Sequence, residues 1–247
     1  DPYGVKRYEC ECDMYNGKDP NTFAVGHLDT PKAEVAKDIE PDRIKLKGIP
    51  SFSPKQVFDP VTLRAYNDPS ILKIDNVTGP IPHVKVRASK ANTLKLYKDL
   101  DSSHRLALFP TSVVGNRRRC GFFAVRNNAE KDRLILDARP PNLEEITLKK
   151  WIYLMGATGP LLGLYLPYGY VLSIYADDLT DWYYEFITSE ARTLRNVIIG
   201  EWLPKTFEGW NAYKAGYERE TSLVVALKTL AMGDTNAVEF GTAGHII

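Results

Sequence analysis

The sequence has few of the residues that most often bind soft or transition metals: 3 cysteines and 4 histidines among 247 residues. Cys10 and Cys12 have no second pair, and Cys120 stands alone. His27, His83, His104 and His245 are scattered, so neither a paired CxxC zinc pattern nor a His-x-x-x-His spacing occurs. Three thiols form no disulfide framework, and a reduced intracellular setting is the simpler expectation. No apolar run reaches the roughly 18 residues of a membrane span. The richest stretch, residues 151–175, is interrupted by Gly156, Gly159, Pro160, Pro167 and Gly169. Charge of one sign is also missing, because 32 basic residues balance 31 acidic ones to a net +1. Any contact with nucleic acid must therefore come from local patches. Asn76-Val77-Thr78 spells a glycosylation acceptor, but no signal-like segment follows Asp1. The expectation is an intracellular protein, nuclear or cytoplasmic, neither secreted nor membrane-bound.

What is present is a globular composition, 44% hydrophobic and 26% charged, with ample material for a core. Prolines punctuate residues 1–90 too often for long helices, so that region reads as an irregular extension with one or two short helices. Residues 89–105 have helical spacing, with Leu94, Tyr97 and Leu100 on one side. The run from Gly121 to Arg126, the turn residues Asn127 and Asn128, and the run from Arg133 to Asp137 make a β-hairpin signature, the asparagines tolerating positive φ. Pro140 and Pro141 then force an extended exit. Residues 143–155 read as a helix with Glu144 and Glu145 in its first turn, and residues 189–199 as another helix. Residues 221–232 read as a helix or a strand, and the segment from Ala237 onward as a helix.

The chain is organised around residues 171–186, VLSIYADDLTDWYYEF. A buried strand, residues 171–175, runs into the carboxylates Asp177 and Asp178, and an aromatic cluster follows Asp181. A carboxylate at the end of a buried strand is well placed to hold a divalent cation where a phosphate substrate can enter. Asp178 could equally N-cap a short helical turn. A hydrolase using Asp177 and Asp178 as acid and base fits the same letters less well, because neighbouring strand residues face opposite ways.

The order of these motifs resembles the fingers and first half of the palm of a reverse transcriptase of retroelement type. A fingers hairpin in that family carries a basic residue, then an arginine four residues before an aspartate, with another arginine two residues after it. Arg126, Arg133, Asp137, Arg139 and then Asn142 stand in that order. The resemblance implies that Arg126 and Arg133 clasp the incoming triphosphate, a contact suited to guanidinium. Asp137 and Arg139 would brace the hairpin and touch the template, with Asn142 beside them. The family's motif A pairs a metal-binding aspartate with an aromatic residue five positions on, matched by Asp178 and Tyr183. Asp178 would be the catalytic carboxylate, holding Mg2+ (or Mn2+) with the Leu179 carbonyl close by, and Tyr183 would exclude a 2′-hydroxyl. Tyr175-Ala176-Asp177-Asp178 also matches the letters of the family's later Tyr-x-Asp-Asp motif, but the hairpin lying about 40 residues upstream fits motif A. The turn at Gly233, 55 residues after Asp178, occupies the place of motif B, where a glycine lets backbone approach the base pair. Met232 stands where many members have glutamine, and Asp234 brings a negative charge near the site.

The expected fold class is therefore α+β. A reverse-transcriptase-like fingers hairpin (105–150) and an incomplete palm (151–247) would follow an N-terminal extension of unknown role (1–104). The expected function is that of a fragment of an RNA-directed DNA polymerase, inactive alone because the second carboxylate motif would come later. It would add deoxynucleotides to a primer by Mg2+-dependent nucleotidyl transfer. Its partners would be an RNA or DNA template with primer and deoxynucleoside triphosphates. The alternative is a catalytically dead relative that binds nucleic acid or protein.

Overall fold

The structure is a computed structural model that describes residues 35–75, 77, 79–154, 165, 167–171 and 179–246. Residues 36–247 form one compact unit, so the divisions expected near residues 105 and 150 fall inside it. The fold is mixed α and β with small antiparallel sheets. Its α-helices are α1 (Pro60–Asn67), α2 (Lys90–Ser102), α3 (Thr111–Val114), α4 (Arg139–Asn142), α5 (Glu190–Arg195) and α6 (Ala237–Ile246). Its strands are β1 (Leu106–Pro110), β2 (Gly121–Arg126), β3 (Asp132–Asp137) and β4 (Leu223–Leu227). Among the described residues no helix is long and apolar enough to cross a membrane.

Local chemistry accounts for the helix starts. Asp59 accepts from the amides of Val61 and Thr62 ahead of Pro60, and Ser89 and Ser189 cap α2 and α5 by accepting from Asn92 and Arg192. β1 pairs antiparallel with β4, from Leu106 opposite Leu227 to Pro110 opposite Leu223. β2 and β3 pair from Gly121 opposite Asp137 to Arg126 opposite Asp132. Residues 197–199 join the two sheets: Cys120 donates to Val197 and Ile199 to Cys120, while Ile198 donates to Val225. The main core fills the space between the sheets and α2 with Leu96, Tyr97, Leu108, Phe122, Leu134 and Val225. A second, aromatic core joins Phe58 and Tyr66 to Phe186 and Phe240.

Four local expectations are corrected. Asn127 and Asn128 do not adopt positive φ, which among non-glycine described residues occurs at His104 and Asp181. The hairpin loop closes instead through the Asn128 side chain, whose Oδ1 accepts from the amides of Glu130 and Lys131. The prolines after β3 form the single turn α4 rather than an extended exit, their fixed φ being compatible with a first helical turn. Residues 143–151 are not helical: Ile146 donates to Leu72 and Ile74 to Glu144, and buried Glu239 accepts from the amides of Lys150, Trp151 and Ile152. Tertiary partners have replaced the helical ladder. Finally, α5 stops at Arg195, because residues 197–199 are taken up between the sheets. The strand expected over residues 171–175 lies largely outside the described residues.

Candidate functional site

β3 is the wall on which the candidate site is built. Its partner across the site is the turn at Met232 and Gly233, which the chain reaches directly after β4. Leu136 donates its amide to the Met232 carbonyl at 2.9 Å. Asn142, on α4, donates through Nδ2 to the Gly233 carbonyl at 2.8 Å. Its Oδ1 accepts from the Thr235 amide at 3.1 Å and from Arg195 Nη2 at 2.7 Å. Gly233 has φ +107°, and a Cβ there would lie 2.0 Å from the Leu136 carbonyl oxygen. The position requires glycine both for its backbone angle and for the close approach.

Beneath this turn lies a buried ionic cluster. Arg192 contacts Glu145 at 3.3 Å and Asp234 at 3.5 Å, and also donates to the carbonyls of Ala65 and Tyr66. Arg195 pairs with Glu145 and, at 3.0 Å, with Asp234. Two guanidiniums against two carboxylates leave no surplus charge, which is the condition for burying them. Asp234 thus turns inward, and its charge is neutralised away from the open faces of the turn.

Two cavities use the β3 wall. The first, about 430 Å3, brings together residues remote in sequence: Lys45, Arg133 on β3, Leu179, Asp181, Tyr183 and Met232. That volume suits a small ligand. Arg133 is exposed on its wall, whereas Arg126, at the exposed end of β2, does not line it. Tyr183 sits in a single 3-10 turn, Trp182–Glu185, that is held to the rest by two anchors. Tyr184 Oη donates to the Leu134 carbonyl at 2.6 Å, and buried Arg105 donates to the Tyr184 carbonyl and to Glu185. The Tyr183 ring fits against Gly241 of α6, where a Cβ would come within 2.8 Å of Cε1. Its burial raises the phenol pKa, so the hydroxyl stays protonated at neutral pH. Asp181 carries an unusual left-handed φ of 55°, and its buried Oδ2 has no hydrogen-bond partner.

The second cavity, about 510 Å3, is lined by His83, Lys85, Arg87, Phe123, Asp137, Arg139 and Gly233 among others. Asp137 accepts both Arg139 Nε and Nη2 at 2.7 Å, a bidentate pair, and Arg139 also donates to the His83 carbonyl at 3.2 Å. That pairing raises the Arg139 pKa.

The residues singled out in the sequence are thus distributed as follows. Arg133, Leu179 and Tyr183 share the first cavity, Asp137, Arg139 and Gly233 share the second, and Asn142 braces the turn common to both. Arg126 joins neither, and Asp178 lies outside the described residues. Among the described residues no group of three or more histidines, cysteines and carboxylates could hold a metal ion. Asp178, the expected metal ligand, is outside them, so the described residues define no metal position. Sequence reasoning missed Lys45, Asp181, Lys85 and Arg87. The alternation His83-Val84-Lys85-Val86-Arg87 was the available signal for the last two. No protein-family model and no curated protein matches the sequence.

Proposed function

We propose that this chain is part of an RNA-directed DNA polymerase of retroelement type, with a reverse-transcriptase-like fingers hairpin (β2–β3) and part of a palm. What supports the reading is a convergence. Arg133, Leu179, Tyr183 and Met232 come from three stretches of the sequence and line one cavity of about 430 Å3. The order and spacing of those stretches point to the same chemistry without any geometry.

In this reading Arg133 binds the phosphates of a deoxynucleoside triphosphate from the β3 side, and its permanent charge offsets the charge that develops on phosphoryl oxygens. Tyr183, held between the Arg105 anchor and Gly241, is a rigid ring beneath the sugar that crowds a 2′-hydroxyl. Asp178, with Leu179 next to it, would hold Mg2+, which when bound supplies charge neutralisation at the reacting phosphate. Gly233 and Asn142 fix the backbone on which the templating pair rests, and the Asp137–Arg139 pair braces the template side.

The test is binding of a deoxynucleoside triphosphate with Mg2+ to the chain itself, followed by calorimetry. Arg133→Ala should weaken binding by roughly tenfold, the worth of one charge-assisted contact. Equal affinity in the variant would remove Arg133 from the site, and no binding by the wild type would remove the site.

The catalytically dead relative is favoured by one observation, that the cavity is lined by an apolar Met232 where many members of the family have glutamine. Asp234, the other departure from the family pattern, lends it no support, since its carboxylate is neutralised by Arg192 and Arg195. Nucleotide binding without any primer extension would favour the dead relative.

A further inference from the structure

Residues 83–87 belong to the region whose role the sequence left open, and they pack as an extra edge on the fingers hairpin. The Lys85 carbonyl accepts from Phe122 at 3.2 Å, and Arg87 donates to the Phe122 carbonyl at 2.7 Å. Val86 pairs in parallel with Phe122. The approach is so close that a Cβ on Gly121 would lie 2.4 Å from the Lys85 carbonyl oxygen. Val84 is buried in this arrangement. The extended backbone therefore turns His83, Lys85 and Arg87 to the opposite side, about 6.6 Å apart per pair of residues.

All three line the second cavity, together with Phe123, Ile135 and Arg139. The charge balance is positive. Asp137 is occupied by Arg139, and Asp38, itself 81% exposed, stands 3.8 Å from Arg87. Arg87 Nη1 donates to the Ala36 carbonyl, while its buried Nε has no hydrogen-bond partner. Lys85 is exposed at the rim. Lys85 and Arg87, two residues apart, with the His83 ring beyond them and the apolar Phe123 and Ile135 beside them, are the chemistry that takes a single polynucleotide strand, phosphates on the cations and bases on the apolar lining.

We infer that His83, Lys85 and Arg87 form a track for a single-stranded nucleic acid running past Arg139 and Gly233. The inference rests on the polymerase reading for calling that strand a template. As a binding surface it stands on the cavity alone.

Fluorescence anisotropy with short labelled oligouridylate and oligothymidylate tests it on the intact chain over about 50 to 200 mM salt. Lys85→Glu should weaken both by roughly fivefold to tenfold. Lys85→Ala should lower the salt slope by about 0.7, for the one phosphate that is no longer neutralised. Arg219→Glu, the same charge change at an exposed position that does not line the cavity, should shift affinity by less than about twofold. Binding by the wild type that Lys85→Glu and Arg219→Glu weaken equally would overturn the track while leaving the polymerase reading intact. No salt-dependent binding of either strand by the wild type would overturn both. A track supported here alongside failed nucleotide binding would overturn the polymerase reading alone.

Discussion

At the scale of single residues, Gly233 has the least freedom. Any side chain must push against the Leu136 carbonyl oxygen and also hold a φ of +107°. Gly233→Ala should cost at least about 3 kcal/mol in denaturant unfolding, combining backbone strain with displacement of β3. Cys120 makes a second prediction. It is fully buried between the sheets, and burial pushes its thiol pKa up to about 12. The folded state therefore keeps a proton that the unfolded chain releases from about pH 8.5. Stability is full below that value and falls as pH rises toward 12, by at most about 1.4 kcal/mol per pH unit for one group. Burial raises Tyr66, Tyr97 and Tyr184 too, so further loss of the same sign follows at higher pH. Cys120→Ala should flatten the decline of the denaturation midpoint between about pH 8 and 10. Glycine at 233 was legible in the sequence as a backbone requirement. The thiol's environment was not, because Val197 and Arg195 reach it from more than 70 residues away.

At the scale of elements, the sequence served best where local chemistry decides. The α2 helix follows its apolar spacing and its Ser89 cap, and β2 and β3 follow their apolar runs. It failed at residues 143–151, whose helical spacing is overridden by Glu239 and by Asn236, which accepts from the Leu148 amide at 2.7 Å. The buried cluster was equally hidden. Arg192 and Arg195 share a face of α5, but Glu145 and Asp234 lie about 40 to 50 residues away on either side. Arg195→Ala removes a partner from Glu145, Asp234 and Asn142 at once, and should destabilise by about 3–5 kcal/mol in chemical denaturation. Arg195→Lys should restore only part of this, because one ammonium cannot reproduce the fork. The aromatic turn depends on α6 in a way a variant can read. Gly241→Val should displace the Tyr183 ring and, under the proposed function, weaken selection against ribonucleotides with little change in Arg133-dependent phosphate binding.

At the scale of the whole molecule, the chain reads as a β3 wall with two cavities along it, one lined by Asp132, Arg133 and Leu134 and the other by Ile135, Leu136 and Asp137. The turn at Met232 and Gly233 contributes to both, and the buried ion cluster holds that turn from beneath. Residues 36–88, within the least informative stretch of the sequence, are part of this body: they supply Lys45 to one cavity and His83, Lys85 and Arg87 to the other. Their role escaped the sequence because extended segments between prolines show their function only once paired with a hairpin distant in the chain. Under the proposed function the first cavity is a site of templated deoxynucleotide transfer. RNA-templated primer extension with Mg2+ tests this most directly, using the proposed polymerase that carries this chain beside its Asp178→Ala variant. The expected result is deoxynucleotide addition that the variant loses by at least about a hundredfold, as removal of a metal-holding catalytic carboxylate should produce. Extension that persists in the variant, or its absence in the wild type, would contradict it.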